Sequence, residues 1–171
     1  MKKLVIMILA LILVTCLVLW VNGSEMREIG SEIEIEASPD EVWGVLTNIN
    51  NWDAWNPIIN QASGIASVGS ELTITMRGED GEDGPKYMPV VTSFQEPKSF
   101  EWRAKMMFDF MFTNGRVFKL EKTSNGTRLI NKETFKGMLV PLFWGKLNSH
   151  VPSMLNEMNQ ALKKQVEKSS G

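Results

Sequence analysis

The sequence predicts an α+β domain: an antiparallel sheet covered by one long C-terminal helix. Two observations predict it. Apolar and polar residues alternate with a period of two in several runs between Ile29 and Phe135. After Gly137 the apolar residues instead recur at spacings of three and four.

The chain has 171 residues, enough for one ordinary domain. Hydrophobic residues make up 43% and charged residues 22%, a mixture that builds a core and excludes wholesale disorder. Apart from Lys2 and Lys3, the body carries 16 basic and 20 acidic side chains, a poor electrostatic partner for nucleic acid. Cys16 is the sole cysteine and His150 the sole histidine, so an internal disulfide and a thiolate zinc cluster are both excluded. Neither a cofactor nor a metal is expected.

Residues 1–24 stand apart from the body. Leu4 to Val21 is an 18-residue run without a charge, covering roughly 27 Å as a helix. It is longer than the usual apolar run of a signal peptide. A retained transmembrane anchor is the favoured reading, and cleavage before Ser24 as a signal peptide is the alternative. Lys2 and Lys3 favour an inside N-terminus, which places the domain on the extracytoplasmic side. Cleavage would make it a secreted protein. Asn22 to Glu28 reads as a short polar tether.

The body, 28–168, is continuous. Ile29, Ser31, Ile33, Ile35 and Ala37 share one face of a first strand. Ser38-Pro39-Asp40-Glu41 then starts a helix: Ser38 caps it, Pro39 fits the first position, and the acids suit the first turn. Val42, Trp43, Val45 and Leu46 make it amphipathic, and it stops near Asn48. A second short helix covers Trp52 to Trp55, ending before Pro57. Strands resume after Gly64, with Leu72, Ile74 and Met76 on one face. Gly78 to Pro85 carries four acids and three glycines and reads as a mobile hairpin loop. Lys86 to Gln95 is the next strand, with Met88, Val90, Thr92 and Phe94 on one side and Pro89 marking an edge or bulge. Phe100, Trp102, Ala104 and Met106 form an inward row. Phe110 to Leu120 follows, interrupted at Asn114-Gly115. Ser124-Asn125-Gly126 is a hairpin signal, and Thr127 to Phe135 runs back with Leu129, Asn131, Glu133 and Phe135 on one face. Leu139, Phe143, Leu147, Val151, Leu155, Met158, Leu162 and Val166 then mark the long helix. Pro152 either kinks that helix or restarts it with Ser149 as cap.

A sheet with one wet face needs its inner face covered, and the last helix is the only long element able to do so. The inner rows hold large flexible side chains, including Met76, Met88, Phe94, Phe100, Trp102 and Phe118. A curved sheet wrapped on one helix can keep a lumen between them, although on pattern alone such rows more often form a packed core.

The segment SPDEVWGVLTNINNWDAWNP, Ser38 to Pro57, resembles the opening signature of the helix-grip superfamily. That superfamily includes START lipid-binding domains, Bet v 1-like proteins and bacterial polyketide cyclase/dehydrase-like proteins (SRPBCC). Further stretches agree in order: Ala62-Ser63-Gly64, Gly69 to Leu72, Val91 to Pro97, Phe100-Glu101-Trp102, Glu133 to Gly137, and Met158 to Lys163. The resemblance covers nearly all of residues 29–168. It implies a curved seven-stranded antiparallel sheet around a long C-terminal helix, two short helices after the first strand, and an apolar pocket between them. It implies no single activity, because members bind lipids, sterols, polyketides or hormones and only some are enzymes.

Glu133 and Asn131 face an apolar interior, so each must find a partner. Arg116 shares a face with Phe118 and Leu120, and an Arg116–Glu133 pair across neighbouring strands solves both burials. The same pair could orient a ligand carbonyl or carboxylate. Trp52, Met76, Met88, Val90, Phe100, Trp102, Arg116, Phe118, Asn131, Glu133, Leu147, Val151 and Leu155 are the candidate ligand-binding residues, and none is assigned a catalytic role. Trp43 packs the first helix on the sheet, and His150 lies off the apolar stripe. The favoured function is non-catalytic binding or transport of a hydrophobic small molecule or lipid by a membrane-tethered domain. The alternatives are a polyketide cyclase/dehydrase-like enzyme and a structural or partner-binding domain with a vestigial pocket. Glu133 or Asp109 aimed into a lumen would favour the enzyme.

Overall fold

Uncharged residues on every face make α1, Lys2–Gly23, a helix long and apolar enough to cross a membrane, and none of its apolar window is buried against the rest of the protein. In the computed structural model, which describes residues 1–78, 80–106 and 108–169, the helix continues through Asn22 and Gly23, and β1, Arg27–Ile35, begins after only Ser24, Glu25 and Met26. The polar tether expected over 22–28 is therefore mostly helix and strand. Gly23 is buried, and its carbonyl accepts a 2.9 Å hydrogen bond from the Gly137 N–H.

Helix α2, Pro39–Thr47, starts with the expected chemistry. The Ser38 hydroxyl accepts from the Glu41 N–H, and the Glu41 carboxylate accepts from the Ser38 N–H at 2.8 Å, a reciprocal capping box. Trp43 is buried and packs on Phe94 with ring centroids 5.0 Å apart. A 3₁₀ helix, Ile49–Ala54, follows; the Trp52 indole N–H donates 2.9 Å to the Leu46 carbonyl and fixes the angle between the two short helices.

Strand β2, Ile59–Ser63, is a short polar run that the alternation did not reveal. It pairs with β3, Thr73–Arg77, which pairs with β4, Asp83–Tyr87. Strands β5, Val90–Gln95, β6, Ser99–Met106, β7, Phe112–Lys122, and β8, Thr127–Lys136, complete a second, five-stranded sheet in the order β1-β8-β7-β6-β5. The expected single sheet is thus two antiparallel sheets of five and three strands, bridged at Glu71 and Val90. Leu72 donates 2.8 Å to the Pro89 carbonyl and Val91 donates 2.9 Å to the Ser70 carbonyl across the same seam.

The strand expected over 86–95 breaks at Met88-Pro89, because proline has no N–H to continue a ladder. A register shift between Val91 and Ser93 follows. Ahead of the shift the expected facing is reversed: Val91 is buried, whereas Met88 is 54% and Val90 39% exposed; beyond it Phe94 keeps its expected inward side. Part of the acidic hairpin expected as a loop belongs to β4 instead; Glu79 lies outside the described residues. Strand β7 runs through Asn114-Gly115 without the expected interruption. On β6 the inward row holds for Phe100 and Trp102, while the Met106 side chain lies outside the described residues.

Helix α3, Val140–Ser169, is continuous, with Pro152 inside it. The Ser149 hydroxyl donates 3.0 Å to the Lys146 carbonyl, so it does not cap a restarted helix. The helix buries Val140, Val151, Leu155, Met158, Leu162 and Val166, whereas Leu142 and Phe143 in its first turn stay exposed. Glycine is needed at Gly137, where φ is +131° and a Cβ would run into the Met111 backbone.

Candidate functional site

Antiparallel register sets the interior. Val91, Trp102, Arg116, Glu133 and Ile29 stand opposite one another across β5, β6, β7, β8 and β1. Phe94, Phe100, Phe118, Asn131 and Ser31 form the next row. Alternation places both rows on the same face of the sheet, toward α3.

The apolar side chains divide into two clusters. The larger includes Trp52, Trp102, Phe100, Phe118, Met158 and Leu162, with Met76 half-buried against it. Its rings touch: Trp52 lies 5.5 Å from Trp102 and 6.1 Å from Phe118, and Phe100 lies 5.9 Å from Phe118. The smaller consists of Ile29, Phe135, Val140, Val151 and Leu155, with Leu147, Phe112 and Trp144 half-buried beside it.

A polar group lies on the same face as these clusters. Arg116 and Glu133, direct cross-strand partners, form an ion pair at 2.6 Å with both side chains nearly buried. Arg116 Nη1 donates 3.1 Å to Asn131 Oδ1, and Asn131 Nδ2 donates 2.8 Å to Asn159 Oδ1 on α3. Asn114 Nδ2 reaches Glu133 Oε2 at 3.4 Å. Burial pushes the Arg116 guanidinium below its ordinary value, and the Glu133 carboxylate opposes that shift. The buried Asn159 Nδ2 has no hydrogen-bond partner among the described residues. A buried amide donor without a partner costs about 1–3 kcal/mol, and the Trp55 indole N–H and the Asn56 amide are in the same condition.

The expected residues therefore divide. Trp52, Phe100, Trp102, Phe118 and Met76 belong to one cluster; Leu147, Val151 and Leu155 belong to the other; Arg116, Asn131 and Glu133 form the polar group. Met88 and Val90 stand outside. Asp109 is exposed and sits 3.7 Å from Lys105, away from the interior. His150 is exposed, with Nδ1 2.9 Å from the Lys146 carbonyl. Asn159 was missed. Its signal was a polar residue on the helix stripe between Leu155 and Leu162. Two surface depressions, of about 320 Å³ at Glu34, Thr123 and Lys163 and about 220 Å³ at Trp20, Phe110 and Lys136, lie outside the sheet–helix interior.

Tyr87, the only tyrosine, was also missed as a reporter of this region. Its phenol is pushed above its ordinary value, first by partial covering of the residue, which stays 44% exposed, and second by the Glu133 carboxylate. A spectrophotometric titration of phenolate absorbance therefore reads a midpoint above 10.0, and Glu133→Gln lowers that midpoint only in part. The sign is that of a raised acid: the protonated phenol stabilises the fold below its unfolded pKa, and this contribution fades as pH rises through the folded value. A midpoint unmoved by Glu133→Gln would separate Tyr87 from the polar group.

The fold has known relatives. The di-domain ARO/CYC StfQ from the steffimycin biosynthetic pathway matches with a TM-score of 0.70 at 11% identity, over 85% of this chain and 52% of that one. This chain thus spans about half of that protein. MLL2253 from Mesorhizobium loti matches at 0.64 with 17% identity, over 85% of this chain and 99% of that one. A Thalictrum norcoclaurine synthase point mutant, in complex with a transition-state analogue, matches at 0.66 with 16% identity, over 86% and 98%. Comparison with curated proteins gives no match. At these identities the structures establish a shared helix-grip fold. Over residues 26–167, this chain belongs to the family described as polyketide cyclase / dehydrase and lipid transport.

Proposed function

We propose that this chain binds a hydrophobic small molecule or lipid between its five-stranded sheet and α3, without catalysing a reaction, and that α1 tethers it to a membrane. The observation that carries this reading is the polar group of Arg116, Glu133, Asn131 and Asn159 beside apolar clusters, with the Asn159 amide donor unused. Apolar burial would supply affinity, at roughly 25 cal/mol per Å² before ordering costs. The Asn159 amide would fix a ligand carbonyl or carboxylate. The aromatic cluster fills much of this space, so a ligand enters by displacing the 3₁₀ helix that carries Trp52, and Met76 and Met158 reshape around it. Trp52, Trp102, Phe118, Leu147, Val151 and Leu155 would line the occupied interior.

The family description also contains cyclases and dehydrases. Such chemistry requires an acid or base free to meet the reacting atom. Glu133 is engaged by Arg116 at 2.6 Å, which favours binding over catalysis.

The test is equilibrium dialysis of a radiolabelled long-chain fatty acid against the full chain in nanodiscs, with empty nanodiscs subtracted. Saturable binding is expected, weakened about tenfold by Asn159→Leu, as for one lost hydrogen bond of roughly 1.4 kcal/mol. Binding no greater than that of empty nanodiscs would refute the reading, and unchanged affinity in a folded Asn159→Leu protein would remove the orienting role.

A further inference from the structure

The end of the domain nearest α1 exposes a group of large apolar side chains that the ligand reading does not use. Phe108 is 58% exposed, Phe110 50%, Leu142 62% and Phe143 46%. They come from two separate segments, the β6–β7 turn and the first turns of α3. Phe108 and Phe110 stack with centroids 5.6 Å apart. Phe143 meets Phe112 at 6.4 Å, Phe112 meets Phe135 at 6.2 Å, and Phe135 meets Trp144 at 6.3 Å. The aromatic rim is therefore packed behind and bare in front.

This rim is held against α1. Trp20, in the last turns of α1, lies 6.5 Å from Phe110. The Gly137 N–H donates 2.9 Å to the Gly23 carbonyl, the Met138 N–H 3.0 Å to the Phe110 carbonyl, and the Leu139 N–H 3.0 Å to the Met111 carbonyl. The end of α1, the β6–β7 turn and the start of α3 are thus bound by one set of backbone hydrogen bonds. A Cβ at Gly23 would collide with the Gly137 backbone, so the contact is as close as a glycine permits. Trp20 is about 4–5 Å along the helix axis from Gly23. If α1 spans a bilayer, its last turns lie in the interfacial layer, where tryptophan and tyrosine concentrate. Whatever touches Trp20 is then held at that depth. Lys136, exposed beside Trp20 and Phe110, stands at headgroup level.

We infer that Phe108, Phe110, Leu142 and Phe143 form a second membrane contact, inserted into the interfacial layer of the bilayer that α1 spans. The domain is seated on the lipid surface in one orientation, and does not swing on a tether. The occupant of this bare rim is lipid, because the covalent and hydrogen-bonded continuity with α1 places lipid there. This inference rests on α1 remaining in the membrane.

The experiment uses the full chain in phosphatidylcholine nanodiscs, on a Cys16→Ala background so that one introduced cysteine carries a bimane label. Labels go at Leu11→Cys within α1, Phe110→Cys and Phe143→Cys on the rim, and Asn125→Cys in the hairpin at the opposite end of the sheet. Nitroxide-bearing lipid is then added as quencher. The expected result is at least twofold quenching at positions 11, 110 and 143, and none at 125. Quenching at 11 but not at 110 and 143 overturns the inference while leaving the anchor intact. Blue-shifted but unquenched emission at 110 and 143 shows protein covering the rim and also overturns it. Absence of quenching at 11 refutes the anchor and the rim contact together.

Discussion

Glu133→Gln lowers folding stability by about 3–5 kcal/mol, because it strands the Arg116 guanidinium without its counter-charge. The Arg116 side chain is 7% exposed and that of Glu133 12%, so water can solvate the stranded cation only weakly. Asn131 gives the cation one remaining acceptor, which offsets part of the loss and favours the lower end of that range. The paired replacement Arg116→Met with Glu133→Leu is expected to recover most of the stability, since a buried ion pair is roughly matched by apolar groups of similar volume. The check is chemical unfolding of the single and double variants, followed by the double-mutant coupling energy. The double variant is expected to keep the fold. If Glu133→Gln left both stability and ligand affinity unchanged, the polar group would have neither role.

Trp52→Ala lowers stability by about 3–5 kcal/mol, the range for truncating a large buried aromatic. The indole is 1% exposed, touches Trp55, Trp102 and Phe118, and donates its N–H to Leu46. Its removal loosens the 3₁₀ helix and opens an apolar void at the place where a ligand is proposed to enter. A void lined by aromatic rings binds small apolar molecules, so added indole should raise the melting temperature of Trp52→Ala and leave that of the parent chain unchanged. A melting temperature for Trp52→Ala equal to that of the parent would show that the lid is not held by this residue.

Legibility in the sequence followed the strength of the local signal. β1 and β8 read correctly because alternation is uninterrupted from Ile29 to Ile35 and from Thr127 to Phe135, and both strands bury one face. The Ser38 cap read correctly because its hydrogen bonds lie within four residues. Met88 and Val90 were misplaced because Pro89 and the adjacent register shift change which face a side chain takes, and alternation alone cannot count through a bulge. β2 was invisible because Ile59–Ser63 is short and polar and gains its pairing from β3. The Arg116–Glu133 pair was legible because each charge interrupts an apolar row at matching positions on neighbouring strands. Asn159 was not, because its partner Asn131 is 28 residues away and reaches it only through the packing of α3 on the sheet. The contact between Gly23 and Gly137 had no sequence signal beyond two glycines far apart in the chain.

The proposed ligand site is the sheet–helix interior, not the membrane surface. A fatty acid carrying an alkyl diazirine, photolysed with the full chain in nanodiscs and mapped by peptide mass spectrometry, tests this directly. Adducts are expected on peptides containing Trp52, Trp102 and Met158, competed away by unlabelled fatty acid. Adducts confined to α1 and the rim around Phe110 and Phe143, with none on those interior peptides, would contradict that site.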